Sequence, residues 1–189
     1  MERKFNPEKQ KKLNNPQRLI ELPPEFIVEK LNIADPHYIV DIGAGTAFYS
    51  RQFARLFPEA QVVSCDISDV MLNWIEENVV PEYNNISTHY MQESNTGLDS
   101  GVADFVLMIN LHHELESRSD MMKECCRLLK PGGKLAISDW KKEETVGGPP
   151  LQIRLSTDEV AKDLEIAGFK NIQVYNELQN NFLVIGTKS

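Results

Sequence analysis

Short apolar runs alternate along this chain with segments in which apolar residues recur every three or four positions. The runs are five or six residues long and predict buried strands at 38–42, 61–65, 86–91, 104–109 and 134–138. The periodic segments predict helices at 46–57, 68–79 and 118–129. Another helix is expected around residues 26–31, and the Asp35-Pro36 pair stops it before the first strand.

Strands that alternate with helices at this spacing indicate right-handed crossovers and a mainly parallel sheet with helices on both faces. The end of the chain differs. A helix is expected at 156–167, followed by strands at 171–175 and 182–186 that are joined by only a few polar residues. That connection is too short for a crossover, so these two strands must pair antiparallel. We predict a three-layer α/β fold with a seven-stranded, mainly parallel sheet and an antiparallel last strand.

Residues 1–24 form a separate, polar stretch that is interrupted by four prolines. They predict an arm with short helical pieces laid on the main body, which leaves 25–189 as the folded domain. Residues 1–18 carry six Lys or Arg against two Glu. So few charges make a weak electrostatic anchor, and the expected role of this basic arm is that of a solvated terminus.

Composition and charge exclude several kinds of partner. The net charge of −8 repels phosphates, so we expect no nucleic acid partner. No apolar run approaches the roughly 20 residues that span a bilayer. The three cysteines and a basic start without an apolar segment behind it predict a cytoplasmic protein. We expect a monomer or a homodimer.

Small residues follow the first strand, in the stretch HYIVDIGAGTAFYS at 37–50. Gly43 and Gly45 allow a tight turn and a close approach of the main chain to a ligand. In doubly wound sheets, ligands bind beyond the carboxyl ends of the strands, so we expect a ligand site here. A dinucleotide motif, G-x-G-x-x-G, needs a third glycine where Phe48 stands, which disfavours a nicotinamide cofactor.

The pattern from Asp41 to Ala47, D-x-G-x-G-x-A, resembles the (D/E)-x-G-x-G-x-G motif of class I S-adenosylmethionine-dependent methyltransferases. Ala47 replaces the last glycine of that motif. VVSCD, ADFVLMIN and LLKPGGKL follow in the order of the family, and the resemblance covers about residues 25–188. Within the superfamily, the chain is similar to the small bacterial and archaeal type 11 enzymes related to the ubiquinone and menaquinone methyltransferases.

The resemblance implies a Rossmann-like methyltransferase fold and S-adenosylmethionine as the cofactor. Asp66 would accept hydrogen bonds from both ribose hydroxyls, and Gln92 and Glu93 would flank the adenine. Asp41 would orient the glycine loop, meet the methionine amino group or bond its own turn. The complete set implied for the cofactor is Asp41, Gly43, Ala44, Gly45, Asp66, Ile67, Gln92, Glu93 and Asn110.

The residues expected near the methyl acceptor follow the fourth and fifth strands. The sulfonium methyl group is already activated, so the protein mainly aligns a nucleophile behind it. A phenol, enol or amine acceptor also needs a base, for which histidine is suited. His113 is the first candidate and His112 the second; the alternative is that a histidine caps the next helix or fills the crevice wall. Asp139 lies beside the same crevice.

Two further features of the acceptor side remain open at this stage. Trp140 stacks on a flat acceptor, closes a lid with the 143–150 loop, or packs at the edge of the crevice. We expect no metal, because His112, His113 and Glu114 are neighbours that seldom point at one ion.

The predicted function is methyl transfer from S-adenosylmethionine to a small-molecule acceptor. The alternative is a cofactor-binding module or partner subunit without its own turnover. Two observations motivate that alternative: Ala47 departs from the family motif, and the chain carries no appended substrate domain.

Overall fold

The computed structural model describes residues 11–145 and 147–189, so the first ten residues of the predicted arm lie outside the described part. Its strands are β1 (Tyr38–Ile42), β2 (Gln61–Asp66), β3 (Ile86–Tyr90), β4 (Ala103–Ile109), β5 (Leu129–Trp140), β6 (Lys170–Tyr175) and β7 (Asn181–Thr187). Its longer helices are α1 (Gln17–Glu21), α2 (Pro24–Leu31), α3 (Phe48–Leu56), α4 (Asp69–Asn78), α5 (Arg118–Leu128) and α6 (Thr157–Ile166). Short 3-10 helices occur at Val80–Glu82, His112–Glu114 and Leu151–Ile153. None of these described helices has the length and apolar character that crossing a bilayer requires.

All seven strands join one sheet of order β3-β2-β1-β4-β5-β7-β6. The first five strands in the chain run parallel, whereas β7 pairs antiparallel with both β5 and β6. The predicted fold is therefore confirmed, including the antiparallel last strand. In space, β7 lies one strand in from the edge, because β6 forms the edge itself.

Two apolar clusters cover the two faces of the sheet. Ile39 and Phe105 face the cluster that contains α2, α3 and α4, whereas Val40 and Val106 face the cluster that contains α5 and α6. Neighbouring residues alternate between the clusters because successive side chains of a strand point to opposite faces. Burial on both faces explains why these strands are apolar at nearly every position. The two edge strands, β3 and β6, are only partly buried and carry polar side chains in their middle as well.

Most predicted boundaries lie within two residues of those in the structure, and two of the differences have a clear structural reason. The fifth strand begins at Leu129 instead of residue 134, because Leu129 already pairs with Ala103, and a register shift after that pair absorbs the extra residues. Helix α3 begins at Phe48 instead of residue 46, because Ala47 adopts a left-handed conformation with φ of 51°.

Candidate functional site

The glycine loop, residues 43–47, folds back from β1 onto the end of β2. Gly43 and Gly45 have φ of 69° and 59°, which glycine adopts without steric cost. The N–H groups of Gly43 and Ala44 donate to the carbonyl of Cys65, at 2.8 and 3.0 Å. The N–H of Gly45 donates to Asp66 Oδ2 at 2.9 Å. The loop is therefore held against the acidic end of the neighbouring strand.

Ala47 shows why the family motif carries glycine at its last position. Its left-handed conformation costs a residue with a Cβ about 1–2 kcal/mol. Its methyl group is nevertheless fully buried in the apolar cluster under α3. Alanine thus preserves the turn of the loop at a modest cost, and its backbone conformation is one that glycine would adopt freely.

The carboxyl ends of β2 and β3 lie at the same edge of the sheet as the glycine loop. Asp66 is 9% exposed, and its Oδ1 accepts the N–H of Ser68 at 2.9 Å. The N–H of Met91 donates to the main-chain carbonyl of Asp66 at 3.1 Å, which joins the two strand ends. Ile67 is 48% exposed, and Gln92 and Glu93 are exposed as well. An acidic group, an apolar side chain and two polar side chains thus lie along one edge.

Glu124 braces the loop that follows β3, a contact that the sequence analysis missed. Its Oε1 accepts the N–H and the hydroxyl of Thr96, at 2.8 and 2.6 Å. Arg127 donates to both carboxylate oxygens, at 2.7 and 2.8 Å. Burial raises the pKa of Glu124, but the hydrogen bonds from Arg127 and Thr96 outweigh it, and the net shift is downward.

Asp41 lies beneath the glycine loop and is 3% exposed. Its Oδ2 accepts the hydroxyl of Ser50 on α3 at 2.6 Å, and Ser64 donates in turn to Ser50. Burial raises the pKa of Asp41 to about 6. Through Ser50, Asp41 ties β1 to α3, the two elements on either side of the loop. This contact bears on the first of the three expected roles, the orientation of the glycine loop.

Asn110 follows β4 in a left-handed conformation with φ of 56°. Its N–H donates to the carbonyl of Ser138, and its Oδ1 accepts the amide of Asn181 on β7, at 2.8 and 2.9 Å. Among the described residues, no hydrogen bond joins Asn110 to the glycine loop or to Asp66. Its neighbour Leu111 packs so closely on Gly43 that a Cβ there would lie 2.6 Å from Leu111 Cδ2.

His113 and Asp139 form a buried pair between the ends of β4 and β5. The imidazole Nδ1 lies 2.7 and 2.9 Å from the two oxygens of Asp139, and the side chains are 3% and 2% exposed. A carboxylate only accepts hydrogen bonds, so Nδ1 carries the proton and Nε2 is the basic atom. Burial lowers the pKa of His113, but the hydrogen bond and charge of Asp139 outweigh it and raise that pKa.

His112 points away from its neighbour, toward α6. Its Nε2 lies 3.0 Å from Asp163 Oδ2, which also pairs with Arg118 on α5 at 2.9 Å. Its Nδ1 is buried without a hydrogen-bond partner, and burial lowers its pKa. The two histidines therefore have separate acidic partners. Within residues 11–145 and 147–189, no group of three or more candidate metal ligands occurs.

Arg154, which the sequence analysis also missed, organises the segment after β5. Its guanidinium donates to the carbonyls of four residues and to one hydroxyl, at 2.7–3.1 Å: Lys141, Glu143, Gly147, Pro149 and Thr145 Oγ1. It also lies 5.6 Å from the ring centroid of Trp140, and a Cβ on Gly148 would lie 2.7 Å from that ring. Trp140 thus packs against this loop, a contact that both the lid alternative and the edge-packing alternative contain.

The predicted arm contacts the glycine loop through Leu13 and Asn14. Asn14 Oδ1 accepts the hydroxyl of Thr46 at 3.2 Å and Arg51 Nη2 at 2.8 Å. Leu13 reaches within 3.5 Å of the position that a Cβ on Gly45 would take. Leu22 of the arm is buried in the cluster that contains α3, whereas Lys11 and Lys12 of its basic stretch are exposed.

Comparisons with known proteins identify the family. Residues 40–137, just over half of the chain, match the model of the type 11 methyltransferase domain. A ubiquinone biosynthesis O-methyltransferase of Xanthomonas oryzae is 29% identical over 129 residues, which are 66% of this chain and 49% of that protein. A malonyl-[acyl-carrier protein] O-methyltransferase of Methylococcus capsulatus is 29% identical over 54% of this chain and 37% of its own length. The chain thus spans about half, or less, of these curated relatives.

Solved structures agree with this assignment. A methyltransferase from Aquifex aeolicus, described as SAM dependent, superimposes with a TM-score of 0.90 at 31% identity, over 98% of this chain and all of the other. Phosphoethanolamine N-methyltransferase 2 of Haemonchus contortus, solved with S-adenosyl-L-methionine, shares the fold with a TM-score of 0.75 at 15% identity, over 87% of this chain and 52% of its own. The chain belongs to the S-adenosylmethionine-dependent methyltransferases of type 11.

Proposed function

We propose that this protein transfers a methyl group from S-adenosylmethionine to a small, planar or apolar acceptor. The observation that carries the proposal is the hydrogen bond from Gly45 N–H to Asp66 Oδ2, which aligns the glycine loop with the acidic end of β2. The curated relatives are named for different acceptors, among them ubiquinone precursors and a malonyl carrier protein. They support the reaction class and leave the acceptor of this chain open.

The residues at the ends of β1, β2 and β3 fit the cofactor. In this proposal Asp66 would accept the ribose hydroxyls, and the exposed Ile67 would offer an apolar surface to the adenine beside Gln92 and Glu93. The left-handed Gly43 and Gly45, with Ala44 between them, keep side chains off the loop. We retain Asp41 as the support of the loop and Asn110 as a second contact. When bound, the cofactor supplies an activated methyl group.

His113 is the proposed base for an acceptor that loses a proton. Asp139 holds Nδ1, so Nε2 receives the proton, and the adjacent negative charge stabilises the imidazolium that results. Asp139 is therefore a positioning residue in this proposal. His112 is buried against Asp163, and we assign it a packing and orienting role instead of proton transfer.

The buried His113–Asp139 pair favours an enzyme over a module that only binds the cofactor. An enzyme would methylate at least one member of a panel of phenols, enols and amines, whereas a module that only binds the cofactor would methylate none. We also propose a cytoplasmic monomer or homodimer without a nucleic acid partner. The net charge of −8 and the three free thiols support this part of the proposal.

Titration calorimetry with S-adenosylhomocysteine, the demethylated product, tests the cofactor site. We expect Asp66→Ala to weaken binding roughly 10-fold or more, because hydrogen bonds to a charged group are lost. Asp66→Asn preserves the shape of the side chain and separates this loss from a collapse of the loop. Asp69→Ala removes an exposed carboxylate three residues further on and should bind as the intact protein does. No binding by the intact protein would overturn the proposal.

A further inference from the structure

Glu114 lies beside the basic atom of the proposed base. Its Oε1 is 3.8 Å from His113 Nε2, which is beyond hydrogen-bond distance, and its side chain is 60% exposed. The side chain of His113 is only 3% exposed, and among the described residues its Nε2 has no hydrogen-bond partner, because Asp139 contacts Nδ1. A free basic atom thus lies between a buried acidic partner and an exposed carboxylate.

The carboxylate of Glu114 has no Lys or Arg partner in the part of the chain that the structure describes. His113 is its one ion-pair partner there, and its side chain accepts no hydrogen bond from the described residues. Asp139, the other acid beside His113, accepts two main-chain N–H groups as well as the imidazole, from His113 at 3.1 Å and from Trp140 at 2.8 Å. Glu114 is therefore the acid that has capacity left for a ligand.

One buried cation acts on the same imidazole, but its donors are used elsewhere. Arg154 is 5% exposed and donates to four carbonyls and one hydroxyl, none of which carries a charge. Burial and the charge of Arg154 lower the pKa of His113, whereas the hydrogen bond to Asp139 and the charges of Asp139 and Glu114 raise it, and the net shift is upward. The two acids thus outweigh the cation at the base.

Different acceptors change charge in opposite directions during methyl transfer. The nitrogen of an amine gains positive charge as it attacks the methyl carbon, whereas the oxygen of a phenolate or enolate loses negative charge. A carboxylate that faces the reacting atom stabilises a developing positive charge and repels an anion. The acidic surroundings of His113 Nε2 therefore favour an amine.

We propose that the acceptor is an amine and that Glu114 selects it by facing the reacting nitrogen beside His113 Nε2. This inference rests on the proposed function, since it names the acceptor class of the same site. An ammonium gives one proton to Nε2, and the lone pair that remains on nitrogen forms the N–C bond. The C–S bond breaks with its electron pair on sulfur, so the positive charge passes from sulfur to the methylated nitrogen. His113 then returns its proton to solvent, past the exposed Glu114.

Tyramine tests the inference, because it carries an amine and a phenol on one frame. With S-adenosylmethionine as the donor, mass spectrometry distinguishes the N-methylated product from the O-methylated one. Phenethylamine and 4-ethylphenol present the same two groups singly. We expect N-methylation of tyramine and phenethylamine, and a rate for 4-ethylphenol that is lower by about 10-fold or more.

Two variants assign the preference to Glu114. Glu114→Gln keeps the shape of the side chain and removes its charge, so it should lower kcat/KM for phenethylamine roughly 10-fold and lower the ratio of N- to O-methylated tyramine. Its affinity for S-adenosylhomocysteine, measured by calorimetry, should stay within about twofold of the intact protein, which a general loss of structure would not allow. Glu116→Gln removes another exposed carboxylate two residues further on and should leave all three quantities unchanged.

Preferred O-methylation of tyramine, or faster turnover of 4-ethylphenol than of phenethylamine, would overturn the inference and leave methyl transfer standing. A Glu114→Gln variant with the rates and product ratio of the intact protein would also overturn it. Methylation of none of the three probes by a protein that binds S-adenosylhomocysteine would contradict the enzymatic part of the proposed function, and this inference with it.

Discussion

The pKa values of the two adjacent histidines shift in opposite directions because their surroundings differ. His113 is hydrogen-bonded to Asp139, which raises its pKa, whereas burial lowers the pKa of His112 despite its contact with Asp163. Their adjacency in the sequence made both candidates for the same role. The turn between them sends one toward β5 and the other toward α6, so only His113 combines a buried acidic partner with a proton-accepting Nε2.

Titration of the imidazole resonances by nuclear magnetic resonance tests this difference. We expect His113 to titrate above the ordinary histidine pKa of about 6.5 and His112 below it. Asp139→Asn should lower the pKa of His113, and it should lower that of His112 less, because Asp139 acts on His112 through charge alone and without a hydrogen bond. Asp163→Asn is the reciprocal control. A single common pKa for both histidines would contradict the assignment.

The same shifts predict opposite effects on stability. The folded-state pKa of His113 is raised, so its contribution is fully present below the unfolded pKa and is lost as the pH rises through the folded pKa. The folded-state pKa of His112 is lowered, so its contribution is lost as the pH falls below the unfolded value. The loss from His113 lies above the unfolded pKa of about 6.5 and the loss from His112 lies below it, so together they predict greatest stability near pH 6.5.

At the scale of helices and loops, α5 holds the loop whose residues Gln92 and Glu93 are proposed to flank the adenine. Glu124 holds Thr96 through two hydrogen bonds, and Thr96 O in turn lies 2.7 Å from His89 Nε2 on β3. Contacts with α5 and β3 thereby hold the loop that carries Gln92 and Glu93. Its conformation depends on a carboxylate about 30 residues away in the chain.

We expect Glu124→Gln to destabilise the protein by about 1–3 kcal/mol, because buried charge-assisted bonds to Thr96 and Arg127 are replaced by mismatched amide contacts. Hydrogen exchange of residues 92–97 should accelerate, and urea unfolding measures the loss. The pKa of Glu124 is lowered, so its contribution exists above the unfolded pKa and disappears as the pH falls through the folded one. Glu165→Gln, an exposed position on α6, should stay within about 0.5 kcal/mol of the intact protein. An equally small effect at Glu124 would refute the bracing role.

Elements that were predictable from the sequence are those whose burial is visible locally. The run at 104–109 is apolar because β4 is covered on both faces, and Gly43 and Gly45 mark their own turn. The early start of β5 was not predictable, because it depends on the pairing of Leu129 with the distant Ala103. Arg154 and Glu124 were missed for a related reason: a charged residue predicts a solvated surface until its distant partners are known.

At the scale of the whole molecule, parallel pairing gathers the functional groups at one edge. The carboxyl ends of β1, β2, β3, β4 and β5 all meet there, and they bring together the glycine loop, Asp66 and the His113–Asp139 pair. The antiparallel β7 begins at the same edge, where Asn181 bonds to Asn110. The side chains of β1 and β4 below this edge are buried at nearly every position, and ligands of doubly wound sheets bind beyond such carboxyl ends.

The N-terminal arm contributes to this edge only if it folds together with the domain. The packing of Leu22 tests whether it does. Leu22 is 2% exposed and packs in the same cluster as Ile27 and Phe53, although the sequence places it in a proline-interrupted arm. We expect Leu22→Ala to lower the free energy of unfolding by about 2–5 kcal/mol, the cost of a cavity in a packed core. Ile20→Ala removes an arm side chain that is 73% exposed and should change it by less than about 0.5 kcal/mol. If urea unfolding gave the same small value for both, the boundary at residue 24 would separate a dispensable tail from the domain.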